Sequence, residues 1–310
     1  MRRLLFDIPL THGWRLPIHS YGVMLVLGFL VALFLAKRRA KRAGLDPNSM
    51  IDLALVALCS GVIGARLFFV IENFKSKFSG PGGLIEAVKI WDGGLVFYGG
   101  FLAATASIIL FVRARKLPLL KTLDTIAAAG MIGLAFGRMG CYLNGCCFGR
   151  PTGLPWAVVF PADSFAYTTP VPSFILLPAS ELANAPAYMK IPELTLLHPV
   201  QLYESFAALM LFVILDIYSD HKKRNGTVTL LVLTLYPIVR FMLEFLRADT
   251  AVPHGLTTSQ TVSLVVFVAA VAFWALLYVL PERAEPEISR SERRAAERHK
   301  RKDEGPGEQG

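Results

Sequence analysis

Seven stretches of this chain are each long and apolar enough to cross a bilayer: residues 19–37, 51–71, 94–113, 122–139, 200–219, 227–246 and 261–280. A spanning helix needs about 20 mostly apolar residues, since hydrocarbon offers the backbone no outside hydrogen-bond partner. A water-soluble alternative would have to bury seven such segments in one core. The composition, 54% hydrophobic with a mean hydropathy of +0.50, is also too apolar for an ordinary soluble domain. The expected fold class is therefore an all-α integral membrane protein with seven transmembrane helices. Scattered Gly and Pro within the spans do not argue against this, because membrane helices tolerate both.

Lys and Arg counts set the expected orientation. The connections after spans one, three and five and the tail after span seven carry five, four, three and eight, twenty in all. The opposite side carries nine. The basic side marks the cytoplasm, so the N-terminus is expected outside and the C-terminus inside. A net charge of +9 is mostly this asymmetry and requires no nucleic-acid partner. MRRLLFDIPLTHGWRLP lacks a continuous apolar run and a small-residue cleavage site, so it does not read as a cleaved signal peptide.

Residues 1–280 read as one membrane domain, with an external cap at about 140–199 between spans four and five. Loops of that length usually carry function or structure of their own. Within the cap, WAVVFP at 156–161 is a candidate short strand. Residues 281–310 are highly charged and end in Gly and Pro, which reads as a disordered cytoplasmic tail.

With this topology the costly polar residues fall at one depth. Tyr21 lies at the outer end of span one, Arg66 in the outer part of span two, and Glu72 and Asn73 at its mouth. Tyr98 enters with span three, and Arg138 and Asn144 lie at the end of span four. His198, Gln201, Tyr203 and Glu204 open span five. Arg240, Glu244 and Arg247 occupy the second half of span six. Ionisable groups inside a membrane mark function by default. Plainer roles exist for several of them. Arg240 and Glu244, four apart, suit a local helix pair. Arg247 can snorkel to the interface. Arg66 can pair with Glu72 or Glu204, and Tyr21, Tyr203 and the tryptophans suit an aromatic belt. Arg138 stands among glycines, where a ligand can approach the backbone. Several arginines in an apolar pocket point to an anionic lipid headgroup, because guanidinium matches phosphate with a planar fork.

Three of four cysteines, Cys141, Cys146 and Cys147, share this region. Their spacing is not a recognised zinc pattern and no ligand histidine is adjacent in sequence. Small packing residues, a disulfide, and catalytic or metal use all remain open. Cys59, within span two, reads as packing.

Five segments together resemble the phosphatidylglycerol–prolipoprotein diacylglyceryl transferases. They are Tyr21-Gly22, WDGGLVFYGG at 91–100, GRMGCYLNGCCFGRPT at 137–152, HPVQLYES at 198–205 and YPIVRFMLEFLR at 236–247. The resemblance covers about residues 15–280. It implies a seven-span bacterial inner-membrane enzyme, multi-pass, with its N-terminus outside. Its substrates would be phosphatidylglycerol and preprolipoprotein signal peptides bearing a lipobox cysteine, and it would carry out the first step of lipoprotein maturation. The diacylglyceryl group moves to the cysteine thiol, giving a thioether and glycerol phosphate, with no metal or organic cofactor. Arg138 matches the family's phosphatidylglycerol-binding arginine and Arg240 its essential sixth-span arginine. Tyr21 and Gly149 match its first-span tyrosine and the glycine closing the signature block. Arg240, Arg138 and Tyr98 are then the expected catalytic residues. The expected substrate-binding set is Arg138, Tyr21, Gly149, Asn144, His198, Glu204, Glu244 and Arg247.

The chain departs from the best-known members at three positions. Tyr98 replaces a histidine proposed as thiol base, Cys141 replaces Asn, and Cys146 replaces Glu. A paralogue acting on another anionic lipid or thiol, or a non-catalytic lipid transporter, is the alternative reading. A phenol with a reference pKa near 10 is a poor base for a thiol near 8.5. A few per cent of such a thiol is already ionised near pH 7. The missing base is thus worth only about 2 kcal/mol, whereas a preorganised donor to a departing oxyanion commonly contributes ~3–4 kcal/mol. The arginines are expected to matter more than the base, and His198 is a substitute base if it reaches the pocket.

Overall fold

The computed structural model describes residues 4–9, 15–80, 83–90, 93–178, 180–248 and 255–279. Seven of its helices are long and apolar enough to span a membrane. They are α1 (Ser20–Arg42), α2 (Pro47–Glu72), α4 (Phe97–Ala114), α5 (Leu119–Asn144), α7 (Val200–Ser219), α8 (Thr227–Glu244) and α9 (Thr258–Val279). Two short helices, α3 (Gly83–Val88) and α6 (Phe165–Thr168), lie in connections. The chain divides into two units, residues 1–274 and 275–310, and the second is described only through the last residues of α9. The expected charged tail, 281–310, lies outside the described residues.

Local chemistry sets the helix ends. Asp46 caps α2, accepting from the Asn48 and Ser49 amides at 3.1 and 3.0 Å, with Pro47 pre-set at the first helical position. These bonds favour the ionised carboxylate and hold Asp46 below the usual carboxylate range. Thr257 and Gln260 form a reciprocal capping box at the start of α9, with bonds of 3.1 and 3.0 Å. Gly145, at φ +70°, ends α5.

Close packing pairs the helices antiparallel. Along α2 and α4, a Cβ added at Gly64 or Gly99 would fall 2.7 Å from the other glycine's carbonyl oxygen, so only glycine permits this approach. Between α1 and α5, Gly140 faces Tyr21 and Gly28 faces Phe136. Helix α7 joins α5 through Ser205 Oγ, which donates to Ala135 O at 2.9 Å.

Four details correct the sequence reading. The fourth span runs past its expected end at 139: α5 continues to Asn144, carrying the first half of the 137–151 block as helix. The cap therefore begins at about 145. WAVVFP forms no strand; Val158 makes one isolated bridge to Leu197. Strands occur elsewhere, as an N-terminal hairpin of β1 (Leu4–Pro9) with β2 (Arg15–His19) and a cap hairpin of β3 (Pro170–Pro172) with β4 (Tyr188–Lys190). The fold thus remains helical with two small hairpins. The cap has its own buried core, with Phe148, Phe160, Tyr167, Val171, Ile191 and Leu197. Finally, polar burial is not confined to one end of the bundle. At the other end Arg39 pairs with Asp216, and Asp124 accepts from Lys222, the Gly226 amide and Thr229. Asp124 thereby caps α8 from a neighbouring helix.

Candidate active site

Helices α5, α7 and α8, with the turn that follows α8, bring three guanidiniums and two carboxylates together. Glu204, one turn into α7, is the hub, with its side chain 2% exposed. Its Oε2 lies 3.1 Å from Arg138 Nε and 3.9 Å from Arg240 Nη1. Oε1 accepts from the Tyr236 hydroxyl at 2.7 Å. Glu244, one turn beyond Arg240, lies 2.8 Å from Arg240 Nη2 and 3.8 Å from Arg247 Nε. Thr257 donates to Glu244 Oε1 at 2.9 Å, and Arg240 Nη2 donates to Ser259 at 3.0 Å, so the start of α9 closes one side. Two carboxylates thus hold three guanidiniums in fixed relation to one another. Among the described residues, Nη1 of Arg240 is buried without a hydrogen-bond acceptor, with Glu204 Oε2 3.9 Å away. An ionised donor in that condition is costly unless an anion meets it.

Tyr236, Arg240 and Glu244 recur every four residues and line one face of α8. That spacing is present in YPIVRFMLE, but a tyrosine in an apolar span carries no charge to mark it.

Gly149 fixes the cap to this network. Its amide donates to His198 O at 3.2 Å, and it pairs across from Arg247. Neighbouring bonds run from Arg150 N to Leu246 O (2.8 Å) and from Ala248 N to Phe148 O (3.2 Å). A Cβ at Gly149 would lie 2.5 Å from His198 Cβ and 2.6 Å from His198 O. The segment therefore passes between the chain entering α7 and the chain leaving α8, and a side chain would not fit.

Other expected residues fall differently. Tyr21 packs beside α5, its ring 3.1 Å from where a Gly140 Cβ would stand. Asn144 lies 3.6 Å from Cys146 Sγ. The His198 ring is turned to Tyr203, with Nδ1 3.3 Å from its hydroxyl, and Trp156 donates to that hydroxyl at 2.7 Å. Burial pushes His198 below the usual imidazole range, which favours its neutral form. Tyr98 does not join the network: its ring stacks edge-on with Phe97 at 5.7 Å. Among the described residues its hydroxyl has no hydrogen-bond partner. The cause is the glycine seam, which commits α4 to α2 rather than to α7 or α8. Arg66 pairs with neither Glu72 nor Glu204. It donates to the carbonyls of Glu86, Ala87, Gly93 and Gly94 at 2.6–3.1 Å, clamping the connection between α2 and α4.

The family model described as prolipoprotein diacylglyceryl transferase matches residues 9–276. Proteins named phosphatidylglycerol–prolipoprotein diacylglyceryl transferase are similar along most of their length. The one from Clostridium tetani is 32% identical over 268 residues, covering 85% of this chain and 93% of its own. That of Thermotoga maritima is 32% identical over 248 residues, covering 79% and 76%. That of Burkholderia multivorans is 32% identical over 291 residues, covering 88% and 95%. A match of that extent, on a seven-helix bundle in which the segments 137–152, 198–205 and 236–247 meet in one arginine network, makes this chain a member of the prolipoprotein diacylglyceryl transferase family.

Proposed function

We propose that this chain transfers the diacylglyceryl group of phosphatidylglycerol to the lipobox cysteine of a preprolipoprotein, at the outer face of a bacterial inner membrane. The observation that carries the reading is the convergence of the Arg138 and Arg240 guanidiniums on one buried carboxylate, Glu204, an arrangement of two planar donors that suits a phosphodiester monoanion. The lipid enters sideways from the bilayer, and Arg138 and Arg240 hold its phosphate. The thiolate sulfur attacks the glyceryl carbon, and the carbon–oxygen bond breaks with its electron pair passing to the phosphate. A thioether and glycerol phosphate result. Charge grows on the leaving oxygens as that bond breaks, so buried donors already aimed there favour the transition state over the ground state.

Glu204 and Glu244 keep the guanidiniums apart and oriented before the lipid arrives. Gly149 and the cap close the outer mouth, and Tyr21 and Asn144 line it. Tyr98 stands outside the arginine network and serves, on this reading, as a hydrogen-bond donor to the lipid rather than as a base. Transport between leaflets is less well supported, since the far end of the bundle is filled by protein ion pairs.

The test uses purified protein in detergent with phosphatidylglycerol and a lipobox peptide. Mass spectrometry is expected to find a thioether-linked diacylglyceryl adduct, with glycerol phosphate released one for one. A folded preparation giving neither product would overturn the reading.

A further inference from the structure

The three cysteines left open by their spacing come together in space. Cys141 sits in the last turn of α5, and Cys146 and Cys147 lie just beyond it. Their Sγ atoms are all within 4.8 Å of one another. Two left-handed residues produce the convergence: Gly145 at φ +70° and Cys147 at φ +60°, a conformation uncommon for a side-chain-bearing residue. Both turns are held. A Cβ at Gly145 would stand 2.7 Å from Ser164 Cβ, and Gln201 Nε2 donates to Cys146 O at 2.8 Å. Phe148, the next residue, is buried in the cap core. The thiols are therefore arranged by both flanks of the loop.

The cluster also has a fixed relation to the arginine network. Cys141 lies three residues from Arg138 on one face of α5, and Gln201 lies three residues from Glu204 on α7. On each helix the residue at the thiol cluster, Cys141 on α5 and Gln201 on α7, stands about one turn, roughly 5 Å of rise, beyond the network residue. A sulfur attacking the glyceryl carbon from about 3 Å, while the phosphate meets the guanidiniums, needs a spacing of that order.

We propose that Cys141, Cys146 and Cys147 bind one Zn²⁺ ion as thiolates, and that its fourth position takes the acceptor thiol. The second half of this statement rests on the transfer reading above. Zinc–sulfur bonds of about 2.3 Å place tetrahedral sulfurs about 3.8 Å apart, within reach of the observed cluster. Three protein ligands with one open position is the pattern of a catalytic rather than a structural zinc site. The three thiolates over-neutralise the ion and leave one negative charge.

A thiol that coordinates zinc gives up its proton. Here that proton passes to solvent, the metal-held sulfur attacks the glyceryl carbon, and the phosphate leaves with the bonding electrons. No oxidant or base from the protein is required. This supplies the activation that neither Tyr98, outside the network, nor His198, turned to Tyr203, is placed to provide.

The test begins with untagged protein purified without chelators. Elemental analysis is expected to find one zinc per chain, and X-ray absorption three sulfur neighbours at about 2.3 Å. Adding a lipobox peptide without lipid is expected to raise the sulfur count to four, and a serine-for-cysteine peptide to leave it at three. Cys146→Ser is expected to lower zinc retention at least tenfold. If that variant does not fold, Co²⁺ uptake by the reduced wild-type protein reads the same site through its sulfur-to-metal absorption band. Metal-free protein that takes up neither Zn²⁺ nor Co²⁺ would overturn the site, as would a disulfide among the three cysteines. A sulfur count unchanged by the peptide would overturn the role of the fourth position. Full transfer activity in metal-stripped enzyme would sink the zinc proposal and leave the transfer reading standing. Stoichiometric zinc in a protein that transfers nothing would support the site and count against that reading.

Discussion

Gly149→Ala isolates the geometric part of the account, because it adds one methyl group and removes no charge. The new Cβ would meet His198 Cβ at 2.5 Å, His198 O at 2.6 Å and Val200 Cγ2 at 2.7 Å. Ordinary contact begins at 3.4 Å, so all three are short by most of an ångström, and two of the three partners are His198 backbone oxygen and Cβ. They cannot swing aside as a flexible side chain would. The segment holding Gly149 must instead move by about 1 Å, which strains its pairing with Arg247 and its bond to the chain entering α7. Overpacking of this kind costs about 1–3 kcal/mol of stability. Misplacing reacting groups by about 1 Å commonly costs ~100-fold in rate, equivalent to about 2.7 kcal/mol of barrier. Initial rates with the lipobox peptide, taken with a thermal melt in detergent, provide the assay. Gly153→Ala is the control, since nothing lies within 4 Å of its added Cβ. The expectation is a loss of about two orders of magnitude at Gly149 and less than about twofold at Gly153. Near-normal turnover in folded Gly149→Ala would refute the idea that this close approach positions the site.

Arg138→Lys should not restore activity although charge is kept, because a lysine cannot both reach Glu204 and present a planar fork to phosphate; a rate near wild type would remove the fork. Tyr98→Phe should slow transfer by less than about tenfold, the loss of one hydrogen bond worth ~1 kcal/mol, at every pH from about 6 to 9. A deep loss repaired by raising the pH would instead mark Tyr98 as a base. Asp124→Ala, at the far end of the bundle, should lower unfolding free energy by about 3 kcal/mol through its stranded lysine and α8 amides, while folded enzyme keeps its kcat; a kcat effect larger than the stability effect would contradict a purely structural hub.

The seven spans were legible because hydrocarbon imposes a length and a polarity that no other fold shares. The arginine network was legible in part. Arg138, Glu204, Arg240, Glu244 and Arg247 stand out as charges at one depth of an apolar chain. Tyr236 does not, because a tyrosine costs little in such a helix and only its hydrogen bond to Glu204 shows its place. Arg66 was misjudged for a related reason. Sequence suggests carboxylate partners for an arginine, whereas a bent connection can offer it four backbone carbonyls. The thiol cluster was hidden by linear spacing: two left-handed turns, one at a non-glycine residue, fold Cys146 and Cys147 back onto Cys141. Tyr98 shares its depth with the network, but depth leaves open which neighbour a helix packs against, and the Gly64–Gly99 contact decided that.

The central claim is that Arg138 and Arg240 stabilise the departing phosphate rather than merely retaining the lipid. Its most direct measurement is kcat, separated from KM for phosphatidylglycerol, in folded Arg138→Ala and Arg240→Ala at saturating lipid. Loss of a preorganised oxyanion donor predicts a fall in kcat of about 100-fold or more for each variant. An unchanged kcat with only a raised KM would mean that the guanidiniums grip substrate and transition state equally, and the account would be contradicted.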